Sequence, residues 1–160
     1  MNKKQRFILY RIYYDDYIVY LGRTKQRLQD RIRGHLFKKP MQREIGIDSV
    51  SKIEYAEFAT EADMYVYEVY YINLYRPPLN RDDKARDELT ILLPEVEWKP
   101  FQTPLWDKWK EQIAAIDAAD AEKRRRKREF DINKREMRRK FCAHEITEDE
   151  YYDFLESAVK

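Results

Sequence analysis

The sequence contains very little cysteine, glycine and histidine: its 160 residues include one cysteine, three glycines and two histidines. The single cysteine, Cys142, excludes an internal disulfide and a zinc site built from cysteines, and it fits a reducing compartment. No stretch is long and apolar enough to span a bilayer. The basic start of the chain is followed by too short an apolar run for a signal peptide. We therefore expect a cytoplasmic protein without a membrane partner.

Charge, in contrast, is plentiful and unevenly distributed. Charged residues make up 39% of the chain, yet the net charge is only +2. Residues 121–140 carry eleven Lys/Arg against four Asp/Glu, residues 141–160 carry one Lys against six acids, and the first 120 residues are neutral overall. Blocks of one sign usually mark surfaces that meet a partner. A solvated helix whose basic and acidic halves pair with each other would give the same pattern.

The first part of the chain shows the apolar periodicity of a small α/β (α+β) domain. Two runs rich in Tyr, Ile and Val meet at a turn-forming pair, Asp15 and Asp16, and predict a β-hairpin. Apolar residues at helical spacing predict a helix over residues 24–37. The segment "KIEYAEF" predicts a third strand. Together these elements favour a small antiparallel β-sheet flanked by helices.

A second helix and an extended apolar stretch complete this domain. Thr60 is a good N-cap with Asp63 three residues later, and the prolines at 77 and 78 end the helix. The stretch "ELTILLPEVEW" is extended, and the proline inside it favours a late edge strand over a central one. We assign residues 1–100 to this domain.

The remaining residues, 104–160, predict a helical arm. Neither glycine nor proline interrupts residues 105–141, so a long helix is the natural interpretation. The apolar seam of this helix is broken by charged residues in its middle, which is weak support for a continuous coiled coil. A capping box formed by Thr147 and Glu150 begins a short acidic helix. The arm is a candidate surface for nucleic acid or for pairing two copies in a homodimer.

Six side chains of the first domain are suited to chemistry. They are two strand tyrosines, an arginine with a histidine one turn later, a glutamate inside a helix and an asparagine beyond it: Tyr13, Tyr20, Arg31, His35, Glu68 and Asn80. In this order, and with the tripeptides "RIY" and "YLG" around the tyrosines, they resemble the GIY-YIG nuclease family. The sequence departs from the family pattern at Arg11, in place of the first glycine, and at Leu21, in place of the middle isoleucine. Neither of these positions carries the chemistry.

This resemblance covers about residues 7–80 and implies a metal-dependent endonuclease that hydrolyses DNA. It implies that Glu68 holds one Mg²⁺ (or Mn²⁺) ion, with waters and substrate phosphate completing the coordination shell. It also implies Tyr20 or Tyr13 as the general base that acts on water. A tyrosine is a poor base at its free pKa of about 10, so nearby cations would have to favour its phenolate. The sequence alone does not choose between the two tyrosines.

The remaining three side chains have supporting roles in this interpretation. The planar donors of Arg31 can bind phosphate oxygens. His35, one turn later on the same helix face, can contact phosphate or relay a proton, and Asn80 fits an orienting hydrogen-bonding role. A plainer alternative concerns Glu68: glutamate is seldom buried unpaired, and an ion pair with Arg31 would satisfy it without a metal.

Basic residues around these six predict contact with the phosphates of nucleic acid. The candidates of the first domain are Arg23, Lys25, Arg27, Arg33, Lys38 and Lys39, and those of the arm are Arg124, Arg125, Arg126, Lys127 and Arg128. A solvated helix face is the alternative for both groups. The arm has no glycine-rich or zinc-finger context that would suggest base reading.

Two further functions stay open on the sequence. The first is a non-catalytic nucleic-acid-binding or adaptor protein that keeps the nuclease fold. The second, a protein-interaction coiled coil, would need the continuous apolar seam that the arm lacks. The sequence also leaves open the target, whether a specific duplex site, a branched junction, damaged DNA or RNA, and whether one strand or both are cut.

Overall fold

The computed structural model describes residues 6–157, which divide into two compact units. The first unit ends at Ile113 and the second begins at Ala114. Two single 3-10 turns lie between the first helix and the third strand. The elements of the first unit are, in order, β1 (Phe7–Tyr14), β2 (Tyr17–Thr24), α1 (Leu28–Leu36), β3 (Lys52–Phe58), α2 (Glu61–Tyr75) and β4 (Lys99–Pro100).

The four strands form one antiparallel sheet in the order β2-β1-β3-β4. β1 and β2 form the predicted hairpin, with Asp15 in the left-handed region (φ 50°) at its turn. A bulge shifts the register of this hairpin, so Ile12 pairs with Tyr20 while Tyr13 pairs with Ile18. β2 has a neighbour on one side only and is an edge strand. The predicted antiparallel sheet with flanking helices is confirmed.

The sheet is covered by α1 on one face and α2 on the other. Alternate residues of β1 point to opposite faces. Ile8 and Ile12 pack in a core cluster with Ile32 of α1, whereas Leu9 packs in a second cluster with Tyr71 of α2. Burying a side chain of this size contributes about 1.5–3 kcal/mol to folding. The alternation along β1 therefore decides which helix each of its side chains can meet.

The ends of α2 follow the local sequence signals. The Thr60 side chain accepts a hydrogen bond from the Asp63 backbone N–H at 3.1 Å, which confirms the predicted N-cap. At the other end Arg76 adopts a left-handed conformation (φ 49°), and its N–H donates to the Ile72 carbonyl at 2.9 Å. The two prolines that follow cannot continue the helix, as the sequence predicted.

α1 is shorter than predicted. It begins at Leu28, four residues later than the sequence indicated, because Thr24 still pairs with Ile8 as the last residue of β2. The Thr24 hydroxyl then accepts a hydrogen bond from the Gln26 backbone N–H at 3.0 Å. This local bond supports a turn between strand and helix.

The stretch "ELTILLPEVEW" forms no strand, so its prediction as a late edge strand is wrong. Its backbone bonds the tyrosines of α2 instead. The Tyr67 hydroxyl donates to the Pro94 carbonyl at 3.0 Å, and the Val96 N–H donates to the Tyr71 hydroxyl at 3.3 Å. Only the two-residue β4, just after this stretch, pairs with β3.

A long helix, α3 (Trp106–Cys142), begins inside the first unit. Trp109 and Ile113 are buried in the same cluster as the α1 side chains. The Trp109 ring meets Phe37 edge-on, with 6.4 Å between the ring centroids. The first turns of α3 are thus part of the core of the first unit.

The second unit consists of the rest of α3 and the short helix α4 (Glu148–Ser157). Two aromatic stacks join them: Phe130 with Phe154 at 5.6 Å and Phe141 with Tyr151 at 5.2 Å between ring centroids. The predicted capping box at the start of α4 is confirmed by reciprocal hydrogen bonds of 2.8 and 3.3 Å. The apolar positions that resume late in the arm therefore pack against α4. Within residues 6–157, no helix combines the length and apolar character that crossing a membrane requires.

Candidate active site

A polar cluster is buried between β1 and α1. The Tyr10 hydroxyl lies 2.7 Å from His35 Nε2, and Arg31 Nε donates to the same hydroxyl at 3.1 Å. Tyr10 is fully buried, and only 9% of His35 is exposed. Since buried polar groups are costly without partners, these hydrogen bonds are needed for the two rings to be inside. The Tyr10 oxygen accepts from Arg31, so its own proton can be donated to His35 Nε2.

Tyr20 joins this cluster from β2. Its ring lies edge-on to His35, with 5.0 Å between the centroids, and 6.1 Å from the Tyr10 ring. A pocket of about 280 Å³ opens beside the cluster, and Tyr20, Arg31, His35 and Lys38 are among its lining residues. Tyr10 is buried next to this pocket. The arrangement presents a phenol, a guanidinium and an imidazole to one cavity.

Gly22 allows the two tyrosines to come this close. It pairs with Tyr10 in the β1–β2 ladder. A Cβ atom at position 22 would lie 2.8 Å from the Tyr10 hydroxyl oxygen and 2.7 Å from Cε1 of Tyr20. Such distances are too short for a side chain to occupy without moving both rings. The glycine of "YLG" is therefore required by the close approach of the phenols.

Tyr13 is not brought to this cluster. It lies on the face of the sheet that α2 covers, where its hydroxyl donates to Glu54 at 2.9 Å. Arg11 donates to the same carboxylate oxygen at 2.7 Å, and its guanidinium stacks over Trp98 at 4.0 Å. Burial, followed by the hydrogen bond to Glu54, raises the pKa of Tyr13. Its partners are those of a cross-strand structural tyrosine.

The strand tyrosine that the sequence interpretation missed is Tyr10. The tripeptide "RIY" directed attention to Tyr13, which resembles the family motif in letters alone. The signal that identifies Tyr10 is alternation: it lies between Ile8 and Ile12, which face α1, and Tyr13 has the opposite parity. Its position across the ladder from Gly22 is the second signal.

Asn80 holds the edge strand in place. Its side chain accepts a hydrogen bond from the Leu21 N–H at 2.9 Å and donates one to the Leu21 carbonyl at 2.7 Å. Next to it, the Leu79 N–H donates to the Val19 carbonyl at 3.0 Å. These bonds satisfy backbone groups on the outer side of β2 that an edge strand leaves unpaired. Asn80 thus orients the strand that carries Tyr20.

Glu68 lies on α2, on the other face of the sheet from the cluster. Its Oε2 is 3.0 Å from Arg23 Nη1, and only 8% of the residue is exposed. The ion pair with Arg31 that the sequence allowed is not formed, since Arg31 bonds Tyr10 instead. Burial raises the pKa of Glu68, and Arg23 opposes this rise while Asp83 adds to it.

The surroundings of Glu68 fit a divalent cation bound through one protein carboxylate. Mg²⁺ is usually held by one or two carboxylates together with waters and substrate phosphates. Within residues 6–157, no three His, Cys, Asp or Glu side chains are grouped to hold a metal. A cation held by Glu68 would therefore need solvent and substrate as its remaining ligands.

The basic side chains predicted to bind nucleic acid are all exposed. In the first unit Lys25 pairs with Glu61 at 2.8 Å, and the Arg33 guanidinium lies 4.6 Å from the Phe37 ring centre. Lys38 lines the pocket. Because they are exposed, these cations are accessible to a polyanion.

Comparison with known proteins identifies the first unit. Residues 6–82 match the family model described as the GIY-YIG catalytic domain. This segment begins with β1, includes α1 and α2, and ends just beyond Asn80. Neither a curated protein nor a solved structure matches the chain. The predicted relationship to GIY-YIG nucleases is thus confirmed at the level of the domain.

The buried His35 predicts a specific loss of stability in acid. Burial, followed by the positive charges of Arg31 and Lys38, lowers the pKa of His35 from 6.5 to about 4. As the pH falls through this interval, the unfolded chain binds a proton at His35 before the folded protein does. Stability is therefore lost below about pH 6.5, and the loss from this group is complete below about pH 4.

We expect this group to remove on the order of 2 kcal/mol of unfolding free energy between pH 7 and pH 5. Urea denaturation of the wild type and of His35→Gln at both pH values measures it. Glutamine keeps a hydrogen-bonding side chain but does not titrate, so the variant should lose less stability than the wild type. Equal losses in the two proteins would contradict the neutral, buried histidine.

Proposed function

We propose that this protein is a divalent-metal-dependent endonuclease that cuts DNA. The premise is that the chain belongs to the GIY-YIG nuclease superfamily through residues 6–82. The observation that supports this most is the convergence of Tyr20, Arg31 and His35 on one pocket. Hydrolysis of a phosphodiester needs an activated water and neutralisation of the charge that develops on the phosphoryl oxygens. The pocket offers a candidate side chain for each task.

Arg31 is the proposed phosphate ligand. Its Nε is engaged with Tyr10, which orients the planar guanidinium at the pocket. The remaining N–H groups form the fork that matches two phosphate oxygens. Because the guanidinium is fixed before substrate arrives, its charge is available to the transition state without reorganisation. His35, held neutral by burial, supports this arrangement through Tyr10.

Tyr20 is the proposed general base. It lines the pocket, whereas Tyr10 is fully buried. Burial, followed by the neighbouring Tyr20, raises the pKa of Tyr10, which disfavours its phenolate. Arg31 lines the same pocket as Tyr20. In the proposed step Tyr20 removes a proton from water, the water oxygen bonds to phosphorus, and the bond to the leaving oxygen breaks.

Glu68 is the proposed ligand of the Mg²⁺ or Mn²⁺ ion. When bound, such a cation neutralises charge on the scissile phosphate and stabilises the leaving oxygen. The carboxylate is held in position by its burial on α2. Asn80 contributes by fixing β2, so that Tyr20 on one face of the strand and Arg23 on the other keep a constant separation.

The exposed cations are proposed to bind the DNA backbone. Lys38 of the first unit lines the pocket, and the cations of the second unit lie along α3 at residues 124–128. Phosphate contacts of this kind supply affinity without sequence information. We place the activity in the cytoplasm, because the single, exposed Cys142 suits a reducing compartment. We assign catalysis to residues 1–100 and binding to the arm of residues 104–160, whose first turns pack into the core of the first unit.

The first test concerns cleavage and Glu68. Supercoiled plasmid incubated with the wild type should be cut with Mg²⁺ and stay intact with EDTA. Glu68→Gln keeps the size of the side chain but removes the charge that holds the cation, so it should lower cleavage by orders of magnitude. DNA binding should survive or tighten, since a negative charge has been removed near phosphate. Gel-shift affinity and melting temperature are measured on the same samples.

Full Mg²⁺-dependent cleavage by Glu68→Gln would contradict the metal assignment. If the wild type is folded and binds DNA but leaves the plasmid uncut, the alternative of a non-catalytic nucleic-acid-binding protein is favoured. In that case the Glu68 ion pair is structural, and Glu68→Gln should lower the melting temperature.

The second test separates the strand tyrosines. Tyr20→Phe should reduce the cleavage rate about 10²- to 10⁴-fold, the usual size of a general-base contribution. Tyr13→Phe is the matched control, since it removes a hydroxyl of the same kind on the opposite face of the sheet. Its rate should stay within about threefold of the wild type, after melting curves have shown it to be folded. A Tyr13→Phe enzyme as inactive as Tyr20→Phe would overturn the assignment of the base.

The third test concerns the basic part of α3. Arg125 and Arg126 both bond Glu122, at 2.9 and 2.8 Å, whereas Lys127 and Arg128 form no ion pair within residues 6–157. Lys127→Gln/Arg128→Gln should therefore lower the slope of log affinity against log salt by about two, since each lost phosphate contact removes about 0.9. Arg125→Gln/Arg126→Gln should lower it less. If both double variants keep the wild-type salt dependence of DNA affinity, α3 does not contact the DNA.

A further inference from the structure

We propose that Arg23 and a divalent cation compete for the Glu68 carboxylate, and that metal binding transfers Arg23 from Glu68 to substrate phosphate. This inference rests on the proposed function, because it takes Glu68 as the metal ligand. Arg23 would then be a positioning residue that links metal binding to DNA binding. It is carried by the contacts that join the end of β2 to the middle of α2.

The first contact is the ion pair itself. Arg23 Nη1 is 3.0 Å from Glu68 Oε2, well within the distance of an ion pair. The Glu68 side chain is 11% exposed and the Arg23 side chain 40%. The carboxylate is therefore fixed in the protein, while the guanidinium reaches it from the solvent side. Of the two partners, Arg23 is the one that can leave.

The second contact is between the Arg23 guanidinium and an aromatic ring of α2. The Arg23 guanidinium carbon lies 4.3 Å from the centre of the Tyr65 ring, within the range of a cation–π interaction. Tyr65 precedes Glu68 by three residues on α2, so the ring and the carboxylate lie on one helix face. Arg23 thus bridges a flat aromatic surface and a charged oxygen.

The balance of charge then predicts that Arg23 leaves Glu68 when a divalent cation binds there. A divalent cation at Glu68 would lie beside the guanidinium, and like charges so close together repel strongly in a partly buried place. Arg23 lies near the end of β2, on the α2 face of the sheet, and its side chain is 40% exposed, so a phosphate on this face can reach it from solvent. A displaced Arg23 has phosphate as its natural new partner.

Lys25 provides a matched control. It follows Arg23 by two residues and pairs with Glu61 of the same helix at 2.8 Å. Lys25→Gln and Arg23→Gln each remove one positive charge and one ion pair between the same two segments. Only Arg23→Gln frees Glu68. A difference between the two variants therefore reports on the Arg23–Glu68 contact and not on the general field of the surface.

The experiment is a titration of the full chain with Mn²⁺ or Mg²⁺ alone, without DNA, by isothermal calorimetry. Arg23→Gln should bind the metal about fivefold more tightly than the wild type, the value of a partly exposed ion pair. Lys25→Gln should stay within about twofold of the wild type. Gel shifts without and with Mn²⁺ provide a second readout. Without metal, Arg23→Gln should bind DNA as tightly as the wild type does. With Mn²⁺, it should bind DNA less tightly than the wild type.

The outcomes separate this inference from the proposed function. One outcome is that Glu68→Gln abolishes metal binding while Arg23→Gln binds the metal as the wild type does. This result would overturn the competition but leave Glu68 as the metal ligand. An equal gain in Lys25→Gln and Arg23→Gln would also overturn it. No metal binding by any variant, with plasmid left intact, would mean that the proposed function itself has failed. Arg23→Lys, which keeps the charge, should restore an affinity close to that of the wild type.

Discussion

Two hydrogen bonds from one side chain fix the strand on which both halves of the site depend. Asn80 bonds both backbone groups of Leu21, so the outer side of β2 is held as if another strand were present. Tyr20, just before Leu21, faces the α1 cluster, and Arg23, two residues after it, faces Glu68 on α2. An edge strand without such a clamp would be free to twist or fray. The distance between the phenol and the carboxylate would then vary from moment to moment.

The polar cluster at α1 is stable because its members satisfy one another. Tyr10 and His35 are buried among isoleucines and leucines, where an unpaired polar group would cost a few kcal/mol. The bond between them removes that cost, and Arg31 adds a donor from the rim of the pocket. The same burial keeps His35 neutral and Tyr10 protonated. Structure and proposed chemistry therefore follow from one constraint: charge is confined to the side chains that reach the cavity.

Local signals in the sequence were sufficient for most of the fold. The hairpin, the third strand and the N-cap at Thr60 each depend on residues close together in the chain, and all are confirmed. The extended stretch around Pro94 was predicted wrongly because its partners are tyrosine hydroxyls on α2. Hydrogen bonds between a backbone and side chains that are distant in the sequence produce no periodic pattern of residue types. For the same reason the pairing of Glu68 with Arg23 could not be chosen over Arg31.

The site shows a different limit, since its residue types were predictable and the face of one strand was not. The letters of a motif do not state which way a side chain points. Tyr10 and Tyr13 differ by three positions, an odd number, so only one of them can face α1 on a regular strand. The neighbouring residues hold the answer, because Ile8 and Ile12 require the α1 face for their burial and bring Tyr10 with them. The hydrophobic pattern of a strand is thus a stronger guide to its functional side chain than the tripeptide that contains it.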